Sequence, residues 1–195
     1  MLLSEARFGE LDAYLFGQGN HNEIYKKLGA HPAEDEKGNK GFYFAVWAPN
    51  ALRVSVVGEF NEWGEKDGGC FMEKVGDIGV WDVFIPGIKV GDMYKFRIFA
   101  ANGRILDKAD PYGNWAELRP GTASRAADIS DFKWTDSAWL KKRAKTDVHT
   151  NPMAVYEVHP GSWRKHEATD ENPAGYYNYR EFAEELADYV KSMGY

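Results

Sequence analysis

Several features of membrane and secreted proteins are missing from this sequence. Cys70 is the one cysteine among 195 residues, so the chain cannot form an internal disulfide, and a lone thiol fits a reducing compartment. The first residues lack the basic region and apolar run of a signal peptide. No apolar stretch approaches the ~20 residues that a membrane span needs. We therefore expect no membrane partner and a cytoplasmic location.

The motifs that hold metals, nucleotides or catalytic nucleophiles are missing as well. The five histidines have no metal-ligand spacing, and Gly17-Gln18-Gly19 lacks the third glycine of a dinucleotide loop. The sequence has no Walker loop, no nucleophile elbow and no recognisable glycosidase-like pair of carboxyl groups. A net charge of -6 argues against nucleic acid as a partner. These absences predict no metal, no cofactor and no catalytic residue in this chain.

Short strands dominate the middle of the sequence. Turn residues separate six apolar runs of strand type, at 42–47, 52–57, 71–75, 80–85, 93–99 and 105–106. Strands at spacings of about 8–15 residues predict an antiparallel sandwich. Asn102-Gly103, between the last two runs, predicts a hairpin with a type I′ turn. We therefore expect a mainly β chain, with a sandwich over residues 37–130.

The segments that flank this sandwich have other patterns. Residues 1–36 are predicted to be helical in pieces, at 10–16 and at 23–28, where Gly29 and Pro32 end the second helix. Residues 131–150 are predicted to be a polar linker. Trp134 and Trp139 are expected to pack this linker onto a domain surface.

The carboxyl-terminal segment, residues 151–195, has the pattern of one βα unit. An apolar run at 153–159 predicts a buried strand, and Asn178 and Glu181 have the spacing of a helix capping box. Five apolar residues then form one helical stripe: Phe182, Leu186, Tyr189, Val190 and Met193. Such a helix covers a sheet, and one strand is not a sheet. We therefore expect the partner strands to lie outside this chain.

The run Gly58-Glu59-Phe60-Asn61-Glu62-Trp63 is the one candidate binding motif. An indole face can stack on the apolar face of a glucose ring, so Trp63 is the expected sugar platform. Asn61 and Lys95 are the expected partners of sugar hydroxyls. The alternative is that Phe60 and Trp63 only cap the sandwich core, and the residue types alone leave both interpretations open.

This run resembles the signature of the carbohydrate-binding module that precedes the barrel in branching enzymes, isoamylases and related proteins of the α-amylase superfamily. Six further segments occur in the same order in bacterial alpha-1,4-glucan branching enzymes: residues 25–32, 44–51, 108–112, 117–124, 156–159 and 178–181. The resemblance covers nearly the whole chain from about Phe16.

The resemblance implies an Ig-like sandwich followed by the first strand and helix of a truncated (β/α)₈ barrel, in residues 151–195. The implied enzyme is a glycosyltransferase that cleaves α-1,4 bonds and transfers the chain to a 6-hydroxyl, making the branches of glycogen without a cofactor. Its catalytic carboxylates lie on later strands, so this chain is expected to be inactive alone. The implied partners are α-glucans (glycogen, amylose, maltooligosaccharides) and the missing catalytic barrel.

Two departures from the family pattern, and two other interpretations, remain. Pro160 stands where the family usually has leucine. Residues 102–105 lack the second tryptophan that stacks on sugar in the kinase-type modules, which predicts weak binding or a role in bracing the barrel. The chain is alternatively a free-standing glucan-binding module, or the amino-terminal part of a related debranching enzyme.

Overall fold

The computed structural model describes residues 1–147 and 149–195, in two units, Met1–Phe132 and Lys133–Tyr195. Position 148, inside the predicted linker, lies outside the described residues. The helical elements of the first unit are α1 (Leu3–Ala6), α2 (Glu10–Gly17) and a 3₁₀ turn (Ile24–Lys26). Its strands are β1 (Gly29–Glu34), β2 (Lys40–Trp47), β3 (Ala51–Gly58), β4 (Cys70–Phe71), β5 (Glu73–Val75), β6 (Val80–Pro86), β7 (Met93–Ala100), β8 (Ile105–Lys108) and β9 (Ser124–Arg125).

The strands form two antiparallel sheets, which confirms the mainly β class and the antiparallel strands of the predicted sandwich. The first sheet has the order β1-β2-β6-β5, and the second has the order β4-β3-β7-β8, with β9 also pairing with β7. Side chains alternate between the two faces of a strand. On β2, Phe42 and Phe44 therefore enter the core between the sheets, while Tyr43 and Ala45 enter a second core.

This second core lies on the outer face of the first sheet. Phe8 and Leu28 of the amino-terminal region pack there with Tyr43, whose hydroxyl donates to Asp82 and accepts from the backbone N–H of Phe8. Burial raises the pKa of the Asp82 carboxyl, against the lowering effect of this bond. Because the first sheet is covered on both faces, the outer face of the second sheet is the open face of the sandwich.

The helix predicted at 23–28 is wrong in extent. Only a 3₁₀ turn, Ile24–Lys26, forms there, and β1 follows it at Gly29–Glu34. The strand runs through Pro32, which pairs with Phe42 in the register of β1 and β2. A proline is tolerated because β1 is an edge strand, so its missing N–H costs no ladder bond on the solvent side.

The predicted hairpin is confirmed, but the turn type is wrong. β7 and β8 pair antiparallel with Phe99 opposite Ile105. Four residues rather than two join them, with Gly103 N–H donating to Ala100 O and Ala100 N–H donating to Arg104 O. Within the turn only Gly103 has a positive φ, 78°, whereas a type I′ turn needs two such residues. The arrangement is a type I turn followed by a left-handed glycine.

The second unit, described by itself, has three helices: α3 (Ser137–Ala144), α4 (Pro160–Trp163) and α5 (Tyr179–Ser192). The Asn178 cap of α5 is confirmed, since its side chain accepts bonds from Arg180 N and Glu181 N. Helix α3 falls within the predicted linker. Trp134 is 77% exposed and Trp139 56%, and the packing of these rings on a domain surface stays a prediction.

The strand predicted at 153–159 is not formed. A β-strand is defined by ladder hydrogen bonds to a neighbour, and the described residues offer this segment no partner strand. Met153 and Val155 are 79% and 76% exposed, although their sequence has the pattern of a buried strand. Tyr156 instead packs its ring on Tyr189 of α5 and accepts a bond from the Trp163 indole N–H.

Candidate functional site

The candidate site begins at the end of β3. Glu59–Gly64, called here the Trp63 loop, leaves β3 and packs against β3 and β7. It lies over the outer face of the second sheet, where Gly64 packs against the buried Val57. Glycine is required at position 64, because its φ is +67° and a Cβ there would lie 2.8 Å from Gly69 N and 2.9 Å from Val57 Cγ1.

The side chain of Asn61 stabilises this loop through hydrogen bonds. Its Oδ1 accepts from Gly58 N at 2.9 Å, and its Nδ2 donates to Val56 O at 2.9 Å and to the Cys70 sulfur at 3.7 Å. Both ends of the amide are therefore bonded within the protein. Asn61 acts in the structure as a scaffold of the loop, and the hydroxyl-binding role predicted for it stays a prediction.

Trp63 lies in the same loop and is half-buried. Glu62 and Trp63 both have left-handed backbones, with φ of 52° and 55°, and they are the two non-glycine residues of the described chain with positive φ. Such conformations cost on the order of 1–3 kcal/mol each, and they cluster at functional sites. The Asn61 bonds supply the local stabilisation that keeps the two residues in this conformation.

Lys95 lies on the same face as the loop. In the β3–β7 register it stands opposite Val57, and its neighbours Tyr94 and Phe96 point into the core. Its ammonium group donates to Thr122 Oγ1 at 2.7 Å. Thr122 is a residue that the sequence interpretation missed, because it lies in the irregular stretch between β8 and β9 and nothing in that stretch predicts its position.

An ion pair continues this face. Arg97 donates to both carboxylate oxygens of Asp107 at 2.8 Å, across the β7–β8 pairing. The Arg97 bond holds the pKa of the Asp107 carboxyl below its ordinary value, with a smaller contribution from the charge of Lys95. Arg97 also approaches the loop, since its Nη1 is 3.1 Å from where a Cβ on Gly64 would be. The structure thus brings the Trp63 loop and Lys95 to one polar face, with no bond found between Trp63 and Lys95 themselves.

Beyond the ion pair the face becomes aromatic. The Arg53 guanidinium lies 3.8 Å from the centroid of the Phe71 ring and 5.8 Å from that of Phe99. Ile105, opposite Phe99, is 59% exposed.

The described residues contain no group of three or more His, Cys, Asp or Glu side chains placed to hold a metal. None of the described helices is long and apolar enough to cross a membrane.

A family comparison matches part of the first unit. Residues 27–113 match the family described as Carbohydrate-binding module 48 (Isoamylase N-terminal domain). This segment contains β1 to β8, the Trp63 loop and Lys95, so this part of the sandwich is what is similar to that family.

Curated relatives then place the chain more narrowly. It is 55% identical over 186 residues to the 1,4-alpha-glucan branching enzyme GlgB of Butyrivibrio fibrisolvens, and 50% identical over 188 residues to that of Rubrobacter xylanophilus. Each match covers 95% of this chain but only 28% and 24% of those proteins. The chain thus spans about a quarter of the relatives' length, and its resemblance to the amino-terminal module of branching enzymes is confirmed. Among solved structures, a pullulanase from Paenibacillus barengoltzii is 22% identical, with a TM-score of 0.43 over 63% of this chain and 19% of that one.

Proposed function

We propose that the sandwich binds α-glucan on the outer face of its second sheet, with the Trp63 indole as the stacking platform and Lys95 as a hydroxyl partner. The observation that supports this most is Trp63 itself, a partly exposed ring on a strained loop held by Asn61. The match to that module family and the names of the relatives support an α-1,4-linked glucan as the polymer.

The site is expected to be weak. It offers one tryptophan, and the hairpin position opposite Phe99 carries Ile105 rather than a second indole. Burial of apolar area contributes about 25 cal/mol per Å², so one ring face on one sugar gives a modest gain. We expect affinity for short maltooligosaccharides in the high micromolar to millimolar range, or about -4 to -6 kcal/mol.

Electrophoresis through native gels that contain glycogen tests this proposal. The native chain is expected to be retarded, and Trp63→Ala to lose most of the retardation, because the stacking surface is gone. Lys95→Ala is expected to lose part of it. Trp139→Ala is the matched control, since Trp139 is an exposed tryptophan on α3. If Trp63→Ala and Trp139→Ala migrate like the native chain, Trp63 is structural and a bracing role for the module becomes the better account.

We further propose that the chain is the amino-terminal part of a 1,4-alpha-glucan branching enzyme, a cytoplasmic glycosyltransferase that makes α-1,6 branches in glycogen. The support is the identity of about half of all residues to proteins of that name. Residues 151–195 are then the first βα unit of its barrel, and the exposure of Met153 and Val155 fits a strand without its neighbours. Within this proposal residues 1–36, 37–130 and 131–150 are the amino-terminal segment, the module and the linker.

An activity assay tests the assignment of catalysis to residues beyond this chain. The purified chain is expected to leave the iodine staining of amylose unchanged and to form no new reducing ends. The 1,4-alpha-glucan branching enzyme of B. fibrisolvens is the positive control. Any change above a sample without protein would refute the proposal that the chain alone is inactive.

A further inference from the structure

A cavity of about 510 Å³ lies in the first unit, away from the Trp63 face. Neither Trp63 nor Lys95 contributes to it. Its walls come from the 3₁₀ turn, β1 and two irregular segments near 112 and 128, with this lining: Met1, Tyr25, Lys26, His31, Pro32, Tyr112, Asn114, Ala127, Asp128, Ile129 and Ser130. Its volume is in the range of small-molecule sites in proteins.

One wall of the cavity is fixed by a buried carboxyl group. Tyr112 N–H donates to Asp110 Oδ1 at 2.8 Å, and the buried Tyr94 hydroxyl donates to the other Asp110 oxygen. Gly29 makes room for this wall. It has a φ of +103°, and a Cβ there would be 3.1 Å from Tyr112 Cβ and 3.2 Å from the Tyr112 carbonyl oxygen. The backbone of Tyr112 is thus held in place by Asp110 and by close contact with Gly29.

Two polar groups of the lining, on His31 and Asn114, have no hydrogen-bond partner among the described residues. His31 Nε2 lies 2.9 Å from Leu28 O, and because a carbonyl can only accept, the proton of a neutral ring is on Nε2. Nδ1 is then an acceptor, and no hydrogen bond to it or to the Asn114 side-chain amide is found in the described part of the chain. Tyr25 is 56% exposed, and the Lys26 ammonium lies 5.9 Å from the centroid of its ring. The cavity therefore combines an exposed aromatic residue with open polar groups.

The balance of charges in the lining disfavours a strongly charged ligand. Lys26 is paired with Glu23, and Asp128 accepts from the backbone N–H of Ser130. Met1 also lines the cavity, and its amino group interacts with the charge of Asp128, so each charged group of the lining has an opposite charge near it. A second cavity of about 310 Å³ is lined by four charged residues, Arg7, Asp35, Glu36 and Lys37, with Leu3 and Ser4, and its lining has no aromatic ring.

We propose that the 510 Å³ cavity is a second sugar site, which takes a neutral α-linked glucose segment with Tyr25 stacked on one ring. His31 Nδ1 accepts from one hydroxyl, and the Asn114 amide bonds another. An aromatic face with neutral donors and acceptors suits a polyol, which has apolar faces and many hydroxyls but no charge. That the sugar is an α-glucan rests on the proposed function above. Two sites on one module would let it hold two segments of a branched polymer at once, which raises the apparent affinity for glycogen over that for a short chain.

Titration of the ¹⁵N-labelled chain with maltoheptaose tests this proposal. We expect two groups of amide shifts, one in the Trp63 loop and one at Tyr25, His31 and Asn114. Tyr25→Ala is expected to weaken binding at the second group about tenfold, while the first group is unchanged. Tyr14→Ala is the matched control, since Tyr14 is 65% exposed on α2 and does not line the cavity, and it is expected to change neither group. Should Tyr25→Ala fail to fold, Asn114→Ala in the exposed segment serves instead.

The possible outcomes separate this inference from the proposed function. Shifts only in the Trp63 loop, or a Tyr25→Ala titration equal to that of the native chain, overturn the second site and leave the first. Shifts only at the cavity overturn the Trp63 site and keep the cavity. Titration with cellohexaose, a β-linked chain, is expected to give no shifts at the cavity, and equal shifts would overturn the assignment to α-glucan.

Discussion

Replacing Asn61 is expected to destabilise the sandwich rather than only its ligand site. The side chain bonds Gly58 N and Val56 O in a half-buried position. In Asn61→Ala both backbone groups lose a partner, and leaving a buried polar group unsatisfied costs about 1–3 kcal/mol. Because the loop is at the surface, water can replace part of this loss. We therefore expect a decrease of about 2 kcal/mol in the free energy of unfolding, at the low end of the sum for two groups.

Urea denaturation followed by tryptophan fluorescence measures this change. A decrease of about 2 kcal/mol corresponds to a fall in Tm of roughly 6 °C for a unit of this size. Asn102→Ala is the matched control, because Asn102 makes one exposed bond, to Arg104 N, and its loss is expected to cost less than about 1 kcal/mol. Asn61→Asp retains the acceptor for Gly58 N, so its loss of unfolding free energy should lie between those of Asn61→Ala and Asn102→Ala. If Asn61→Ala is no less stable than Asn102→Ala, Asn61 is not the scaffold of the Trp63 loop.

Three further outcomes are expected. Asn178→Ala removes the cap of α5 and is expected to speed amide exchange at Arg180 and Glu181 at a cost of about 1 kcal/mol, and unchanged exchange would contradict the cap. Burial raises the pKa of the Asp110 carboxyl, so its contribution to stability is present at low pH and is lost as the pH rises from about 4 through the folded-state pKa. In urea titrations at several pH values, Asp110→Asn should lack this loss of stability. An equal dependence of stability on pH in both proteins would refute this role of Asp110. Trypsin is expected to cut first within exposed Ser137–Ala144, and a first cut inside the sandwich would contradict the division into two units.

The strands of the sandwich could be predicted because their local patterns agree with their environment. The runs that became β2, β3, β6, β7 and β8 are apolar and bounded by turn residues, and tertiary contacts only lengthened them by a residue or two. β1 could not be predicted, since Pro32 normally ends a strand. Its tolerance at a sheet edge depends on the pairing with β2, which lies outside the local sequence.

The site could be predicted only at the level of its motif. The aromatic and amide residues after β3 indicated the Trp63 loop, and Lys95 was named as a hydroxyl partner within a run predicted to be a strand. The sequence could not show that the Asn61 amide is used inside the loop, because that depends on where Gly58 N and Val56 O stand. Thr122 and the cavity at Tyr25 were missed for the same reason, since each joins segments that are far apart in the chain.

The segment at 153–159 shows the opposite case. Its apolar sequence predicts a strand, and the structure does not form one, since strand formation depends on a neighbour as well as on a pattern. The stripe of α5 behaves in the same way. Phe182 and Tyr189 pack on Trp163, but Met193 remains 59% exposed. The partner surface expected to cover both features stays a prediction.

A crystal structure of the chain with maltoheptaose tests the central claim most directly. The account predicts a glucose ring stacked on the Trp63 indole, with one of its hydroxyls within hydrogen-bond distance of Lys95 Nζ. Lys95 would then share or exchange its bond to Thr122. Sugar bound elsewhere on the sandwich, with the Trp63 face bare at a saturating concentration, would contradict it.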